Sequence, residues 1–258
     1  MSDAARTSTY AAGTMTKHAA RTFMVRVLAE GRRRDRRGEV FRTVVVMILL
    51  SMAAPAFAQE WAEFVGRDDR FTANFPGMPQ VTQTTYKSQF GADLPARVYS
   101  ATQGASRFSM TVVDYNAVEK LLTEKSKTCP AGAETCKGNA SPTSSTGAGY
   151  WKVDLAGAMI YATWRYMQRD ATVTEFGWNN IDLVEGHLLH LTNRDNSRTY
   201  VGIFMHENKL YISEATVPPG APEPGLFQQS LAFIDENGKT IRYSTFYHNG
   251  FPVPPRSR

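Results

Sequence analysis

Phe108, Met110 and Val112 alternate with Arg107, Ser109 and Thr111. A two-residue period sends successive side chains to opposite faces, so 107–115 is predicted as a half-buried antiparallel strand. The same signature recurs along the chain. Phe71 and Phe75 share one face of 70–75, and Val201, Ile203 and Met205 share one face of 199–205. The Thr- and Tyr-rich stretch 81–87 reads as a strand. The stretch 96–101 pairs with 107–115 in a hairpin around Gln103-Gly104. Further strands are predicted at 150–155, 159–168, 172–178, 187–192 and 210–217, separated by turn residues such as Gly157, Asn179-Asn180 and Glu207-Asn208.

Two helices interrupt this pattern. The first, 116–127, carries Val118, Leu121 and Leu122 at helical spacing, with Asn116 as its expected cap and Glu119 three residues on. The second follows Pro218-Pro219-Gly220, has Pro224 near its start, and lines Phe227, Leu231 and Ile234 along one side until Asn237-Gly238. The stretch 239–243 reads as an edge strand. Strands with separated helices imply an α+β fold, an antiparallel sheet of six or more strands flanked by helices.

Ahead of this pattern lies a leader. Val44 to Met52 is apolar except for Ser51, follows a cluster of arginines that includes Arg36, Arg37 and Arg42, and runs into Ala56-Phe57-Ala58. That order is a secretory signal peptide with cleavage between Ala58 and Gln59. The run falls short of the ~20 apolar residues of a spanning helix and contains Pro55, so no membrane anchor is expected after cleavage. The basic region ahead of it is long, and Met24 is a candidate start of synthesis. The expected location is the periplasm or the exterior. The organisation is a leader over 1–58, one domain over 59–248 and a disordered tail over 249–258, which holds three prolines and two terminal arginines.

The leader also carries the basic charge. The whole chain has 29 basic and 24 acidic side chains; 10 and 4 of them precede Gln59, which leaves 19 and 20, a net charge of about −1. The charge of +5 therefore belongs to the export segment, and no nucleic-acid partner is expected.

Cys129 and Cys136 bracket C-P-A-G-A-E-T-C, where Pro130 and Gly132 favour a turn. In an exported chain this is an expected disulfide. Closing a loop of about eight residues is worth roughly 2–3 kcal/mol. The polar stretch 138–149 that follows reads as a flexible surface loop.

The segments E-W-A-E-F, R-F-T-A-N-F-P-G-M-P, G-H-L-L-H-L, R-T-Y-V-G-I-F-M-H-E-N-K-L-Y-I-S-E-A-T-V-P and L-F-Q-Q-S-L-A-F-I resemble the first strand, the long hairpin and the closing helix of exported bacterial domains with the PsbP-like fold. Ser230, Leu231 and Phe233 hold the places of a closing Ser-Leu/Phe-x-Phe pattern. The resemblance covers most of 61–234. It implies an α/β/α sandwich and a protein-binding or assembly role without a catalytic constellation. It carries no functional residue over.

No residue pattern points to chemistry. G-x-S-x-G, a P-loop and G-x-G-x-x-G are absent. Ser141, Ser144 and Ser145 sit in the polar loop, a poor platform for a nucleophile. Asp68-Asp69 and Asp235-Glu236 flank turns and read as solvated caps. His187 and His190 are three apart, which on a strand sends their rings to opposite faces and removes a chelating pair. His206 precedes a turn and is expected at the surface. No catalytic residue, cofactor or metal ligand is assigned. On the predicted strand 159–168, Ile160, Ala162, Trp164 and Tyr166 face the core, while Tyr161, Thr163, Arg165 and Met167 face outward. Tyr161, Arg165 and Met167 form the expected partner surface, a composition enriched at interfaces. The expected role is a non-catalytic binding or assembly module for another periplasmic protein. A carrier of a small apolar ligand, held between helix and sheet, is the alternative; a hydrolase ranks third.

Overall fold

The computed structural model describes residues 60–250 and 253–256. The leader, the cleavage pair Ala58 and Gln59, and the candidate start at Met24 lie outside the described residues. The strands, in chain order, are β1 Trp61–Gly66, β2 Phe71–Pro76, β3 Gln80–Lys87, β4 Asp93–Gln103, β5 Ser106–Asp114, β6 Ala171–Ile181, β7 Val184–Asn193, β8 Arg198–His206, β9 Lys209–Val217 and β10 Ala232–Phe233. The helices are α1 Val118–Ser126, α2 Glu134–Lys137, α3 Trp151–Met167 and α4 Gly225–Gln228.

Seven strands form one antiparallel sheet in the order β3-β4-β5-β9-β8-β7-β6, and β1-β2-β10 form a second, smaller sheet. The alternation seen in the sequence sets the faces. Phe108, Met110 and Val112 turn to one side, where they meet Phe71, Ala73 and Phe75 of β2, Phe227 after the Pro224 turn, and Phe233 of β10. Val113, Val201, Ile203, Leu210 and Ile212 turn to the other, where they meet Val118 and Leu122 of α1 and Ala158, Ala162 and Tyr166 of α3. Helices therefore pack on one face of the large sheet. The opposite face carries the small sheet and one helical turn, where a second helical layer was expected. Aromatic edges fill that layer: Phe71 meets Tyr99 at 5.0 Å, Trp61 meets Phe108 at 5.1 Å and Phe75 meets Phe227 at 5.3 Å.

Five local expectations change. The predicted strands 150–155 and 159–168 are one 17-residue helix, α3. Ala158, Ala162 and Tyr166 recur every fourth residue on its buried side, and the two alanines let the helix lie close on the sheet. Tertiary packing overrides the β-propensity of its Tyr, Thr and Trp residues. A left-handed turn starts it: Gly149 has φ +63° and Tyr150 φ 64°, and a Cβ on Gly149 would sit 2.2 Å from the Leu122 carbonyl oxygen of α1. The buried Asp154 then accepts hydrogen bonds from the Ser88 hydroxyl and, at 3.2 Å, from the Gln89 backbone N–H, tying α3 to the β3–β4 turn.

Asn116 does not cap α1. Its N–H and side-chain amide both donate to Asp114 Oδ1, at 2.9 and 2.7 Å, before the helix begins. The second predicted helix stops after one turn. Ser230 Oγ donates to the Phe227 carbonyl at 2.9 Å and accepts the Asn74 N–H at 2.8 Å, and the chain then pairs with β2 through Phe233 and Phe71. The stretch 239–243 forms isolated bridges in place of an edge strand, Ile234 with Thr240 and Tyr243 with Arg256. The last of these involves the tail expected to be disordered. Among its described residues, Arg256 also pairs with Asp235 at 3.5 Å, and the Pro255 carbonyl accepts the Ser244 N–H at 2.9 Å.

Cys129 and Cys136 are joined, with their Cα atoms 5.8 Å apart. The polar stretch after them is closed by Asn139 N–H to the Gly147 carbonyl at 3.2 Å, Gly149 N–H to the Lys137 carbonyl at 2.8 Å, and Lys152 Nζ on the Pro142 carbonyl at 3.0 Å. No described helix is long and apolar enough to cross a membrane.

Candidate binding surface

On a helix, residues four apart share a face, so α3 reassigns the expected partner surface. Tyr161 and Arg165 stand one turn apart on one side. Met167 packs against the core instead. Ile160 and Trp164, expected inside, point outward and are 64% and 51% exposed. Tyr161 stacks on Trp164 at 5.8 Å. With Gln89, these three residues line a shallow groove of about 350 Å³.

A polar contact ties this helix to the sheet beneath it. Thr163, buried on the inner side of α3, donates to the Met159 carbonyl at 2.9 Å. Its hydroxyl hydrogen is thereby used, so the His187 Nδ1 at 2.7 Å donates to it. Burial pushes the His187 pKa down against the pull of Glu185, which keeps the ring neutral at physiological pH. The other side of that ring receives the edge of Phe176 at 5.5 Å. Phe176 and Trp178 lie on β6, the last strand of the large sheet, and are 52% and 54% exposed. Trp178 contacts Phe246 at 5.2 Å and donates from its indole to Glu185 at 3.2 Å. Glu185 in turn holds His248. No strand pairs with the outer edge of β6 among the described residues.

The helix–sheet junction holds a second feature. A cavity of about 390 Å³ opens between the carboxyl-terminal half of α3 and strands β3, β5 and β9. Glu214 on its floor accepts both arms of Arg169, at 2.8 and 3.1 Å, and the Tyr166 hydroxyl at 2.5 Å. Arg169 lies 3.8 Å over the Tyr166 ring. The alternative reading placed an apolar ligand between helix and sheet; the cavity there is lined by Arg165, Arg169 and Glu214 together with Ala162 and Ile212.

The remaining sequence candidates resolve as follows. His187 and His190 do occupy opposite faces of β7. His190 pairs with Glu175 at 2.8 Å and sits 4.6 Å from Tyr200. His206 is buried, against expectation, because the C-terminal segment folds over it. Phe233 stacks on the ring at 4.5 Å, Tyr247 lies at 4.8 Å, and Nε2 is 2.8 Å from the Tyr243 hydroxyl. Its Nδ1 is buried with no hydrogen-bond partner. Burial, with a smaller push from Arg256, holds its pKa down at about 3.

Asp69 is no solvated cap either; it is 3% exposed. It follows Asp68 in a single 3-10 turn that aims its carboxylate at β4, where it accepts Arg97 Nε and Nη2 at 2.7 and 2.6 Å and the Tyr99 hydroxyl at 2.7 Å. Lys209 adds a contact at 3.1 Å. Burial raises the Asp69 pKa, but these donors outweigh it and hold the carboxyl below its ordinary value. The charge is locked within the fold. Asp235 accepts the Asn237 and Lys239 N–H groups, both at 2.9 Å, as a turn residue does. Among the described residues, no three His, Cys, Asp or Glu side chains are grouped to hold a metal ion.

No protein-family model and no curated protein matches the chain. Among solved structures it is similar to cyanobacterial PsbP (CyanoP) from Synechocystis sp. PCC 6803, determined in solution, with 12% identity and a TM-score of 0.33. The match covers 64% of this chain and 85% of that one, and this neighbour is of the fold family that the sequence patterns resemble.

Proposed function

We propose that this chain is an exported, non-catalytic protein-binding module that takes an extended segment of another periplasmic protein along β6. One observation carries the reading: an 11-residue strand, unpaired on its outer side among the described residues, bears two half-exposed aromatics, Phe176 and Trp178. An open edge offers backbone donors and acceptors at regular spacing, and side-chain pockets on alternate residues supply selectivity. The outward residues of α3, Ile160, Tyr161 and Trp164, offer a second apolar patch on the helix that Thr163 ties to His187, which in turn meets Phe176. The opposite edge, β3, is Q-V-T-Q-T-T-Y-K, whose Thr and Gln residues and terminal lysine suit solvent. Signal-directed export, loss of the leader after Ala58 and the absence of a cofactor belong to this reading.

A photo-crosslinking amino acid at Phe176, introduced in the producing cell, tests it. The expected result is one dominant protein adduct at Phe176 that is missing when the same group is placed at Thr84 on β3. The adduct partner, purified, should bind the wild-type protein and lose binding to Phe176→Asp. Equal adducts from both edges, or none from Phe176, would overturn the reading.

A further inference from the structure

The charge balance of the cavity under α3 is incomplete. Arg169 and the Tyr166 hydroxyl neutralise Glu214 between them. Arg165, one helical turn earlier, has no carboxylate within ion-pair distance among the described residues; its guanidinium rests over the Tyr86 ring at 5.0 Å. Among the residues that line the cavity, two arginines stand against one glutamate, which leaves one positive charge on its wall. The Tyr86 hydroxyl is buried and makes no hydrogen bond. An unpaired buried donor is costly, and an incoming acceptor recovers that cost. Burial pushes its pKa up against the pull of Arg165, so it remains a donor at neutral pH. Beside these polar groups lie Ala162 and Ile212, an apolar wall.

We propose that this cavity binds a small organic carboxylate, with the carboxylate on Arg165 and the Tyr86 hydroxyl and an apolar body against Ala162 and Ile212. A guanidinium and a hydroxyl together supply the donors a carboxylate needs, and Arg is suited to two-pronged recognition. One uncompensated charge selects a monoanion over a dianion. The apolar wall selects an organic acid over an inorganic ion. The cavity lies under α3, apart from the β6 edge, and its occupancy stands or falls independently of partner binding there.

Benzoate is the probe, titrated into the full chain as processed by the producing cell and followed by NMR of backbone amides. The expected result is saturable shifts around Tyr86 and Arg165 with a dissociation constant in the millimolar range or below, roughly the affinity of one charge-assisted contact with modest apolar burial. Arg165→Met should weaken binding about tenfold or more, and Tyr86→Phe by a smaller factor of about three to ten. Arg165 is exposed, so its replacement leaves the fold intact. Benzamide, which keeps the ring without the charge, should not saturate. Retained binding in Arg165→Met would overturn the proposal, as would equal binding of inorganic phosphate or the absence of saturable benzoate shifts at Tyr86.

Discussion

Arg97 grips Asp69 with two prongs, Nε on Oδ2 at 2.7 Å and Nη2 on Oδ1 at 2.6 Å. Asp69 is almost fully buried, and Lys209 shares Oδ1 with Arg97. Removing the charge leaves Arg97 and Lys209 without their counter-ion, although Lys209 keeps the Asp68 carbonyl at 2.9 Å. Asp69→Asn should therefore lower the unfolding free energy by roughly 2–4 kcal/mol, a large share of the stability of a domain this size. Urea denaturation measures it. A loss under about 0.5 kcal/mol would mean that the cluster contributes no more than a surface pair.

His206 makes stability depend on pH in a defined direction. Its folded pKa is near 3 and its unfolded value near 6.5, so the unfolded chain takes up a proton first as pH falls. The contribution is present in full above pH 6.5 and is lost between 6.5 and about 3, amounting to about 2 kcal/mol by pH 5. The neighbouring Tyr243 and Tyr247 have raised pKa values and do not titrate in this window. His206→Phe keeps the stack on Phe233 and should flatten the stability profile between pH 7 and 5. An unchanged slope in that variant would show that other groups set it.

Gly149 occupies a left-handed turn against α1. Gly149→Ala adds a Cβ where the Leu122 carbonyl oxygen lies at 2.2 Å, in a backbone conformation that alanine avoids. A loss of about 2 kcal/mol or more is expected in thermal melts, with Gly132→Ala, whose added Cβ meets nothing within 4 Å, costing less.

Reduction of the Cys129–Cys136 bond should lower the unfolding free energy by at most ~2–3 kcal/mol. The bridge closes a short, exposed loop beyond α1, so the sheet itself should survive. Far-ultraviolet circular dichroism of the Cys129→Ser/Cys136→Ser double variant should match the wild type. Loss of the β signal would show that the loop is needed for folding.

Trp164 and Phe176 are half-exposed, so Trp164→Ser and Phe176→Ser should each cost no more than about 1–2 kcal/mol of stability while weakening binding of the purified partner. A large stability loss would recast these rings as core.

The sheet was legible because its signal is local. Phe108, Met110 and Val112 declare their face within five residues, and Phe71 with Phe75 does so in the same way. The α3 helix was legible in principle: Leu155, Ala158, Ala162 and Tyr166 keep a helical period. Tyr161, Thr163 and Trp164 obscured it with their preference for strands, and the surface drawn from alternation lost Met167 to the core and gained Ile160 and Trp164 as a result. Asp69 and His206 were misread for a different reason. Their partners lie far along the chain: Arg97 is 28 residues from Asp69, Lys209 is 140, and Tyr243 is 37 from His206. Composition near a turn says nothing about which distant segment folds over it. The cavity under α3 also draws on four separate elements, so only the fold could bring Tyr86 to Arg165.

The pairing of Phe71 with Phe233 has a bearing on when the protein can take shape. β2 lies near the start of the folded part, and its last partner strand lies near the end. The aromatic layer around Phe71, Phe75 and Phe227 cannot be sealed until Phe233, far along the chain, is in place, and contacts so distant in sequence form slowly. The described fold therefore settles only once both ends of that pairing are present.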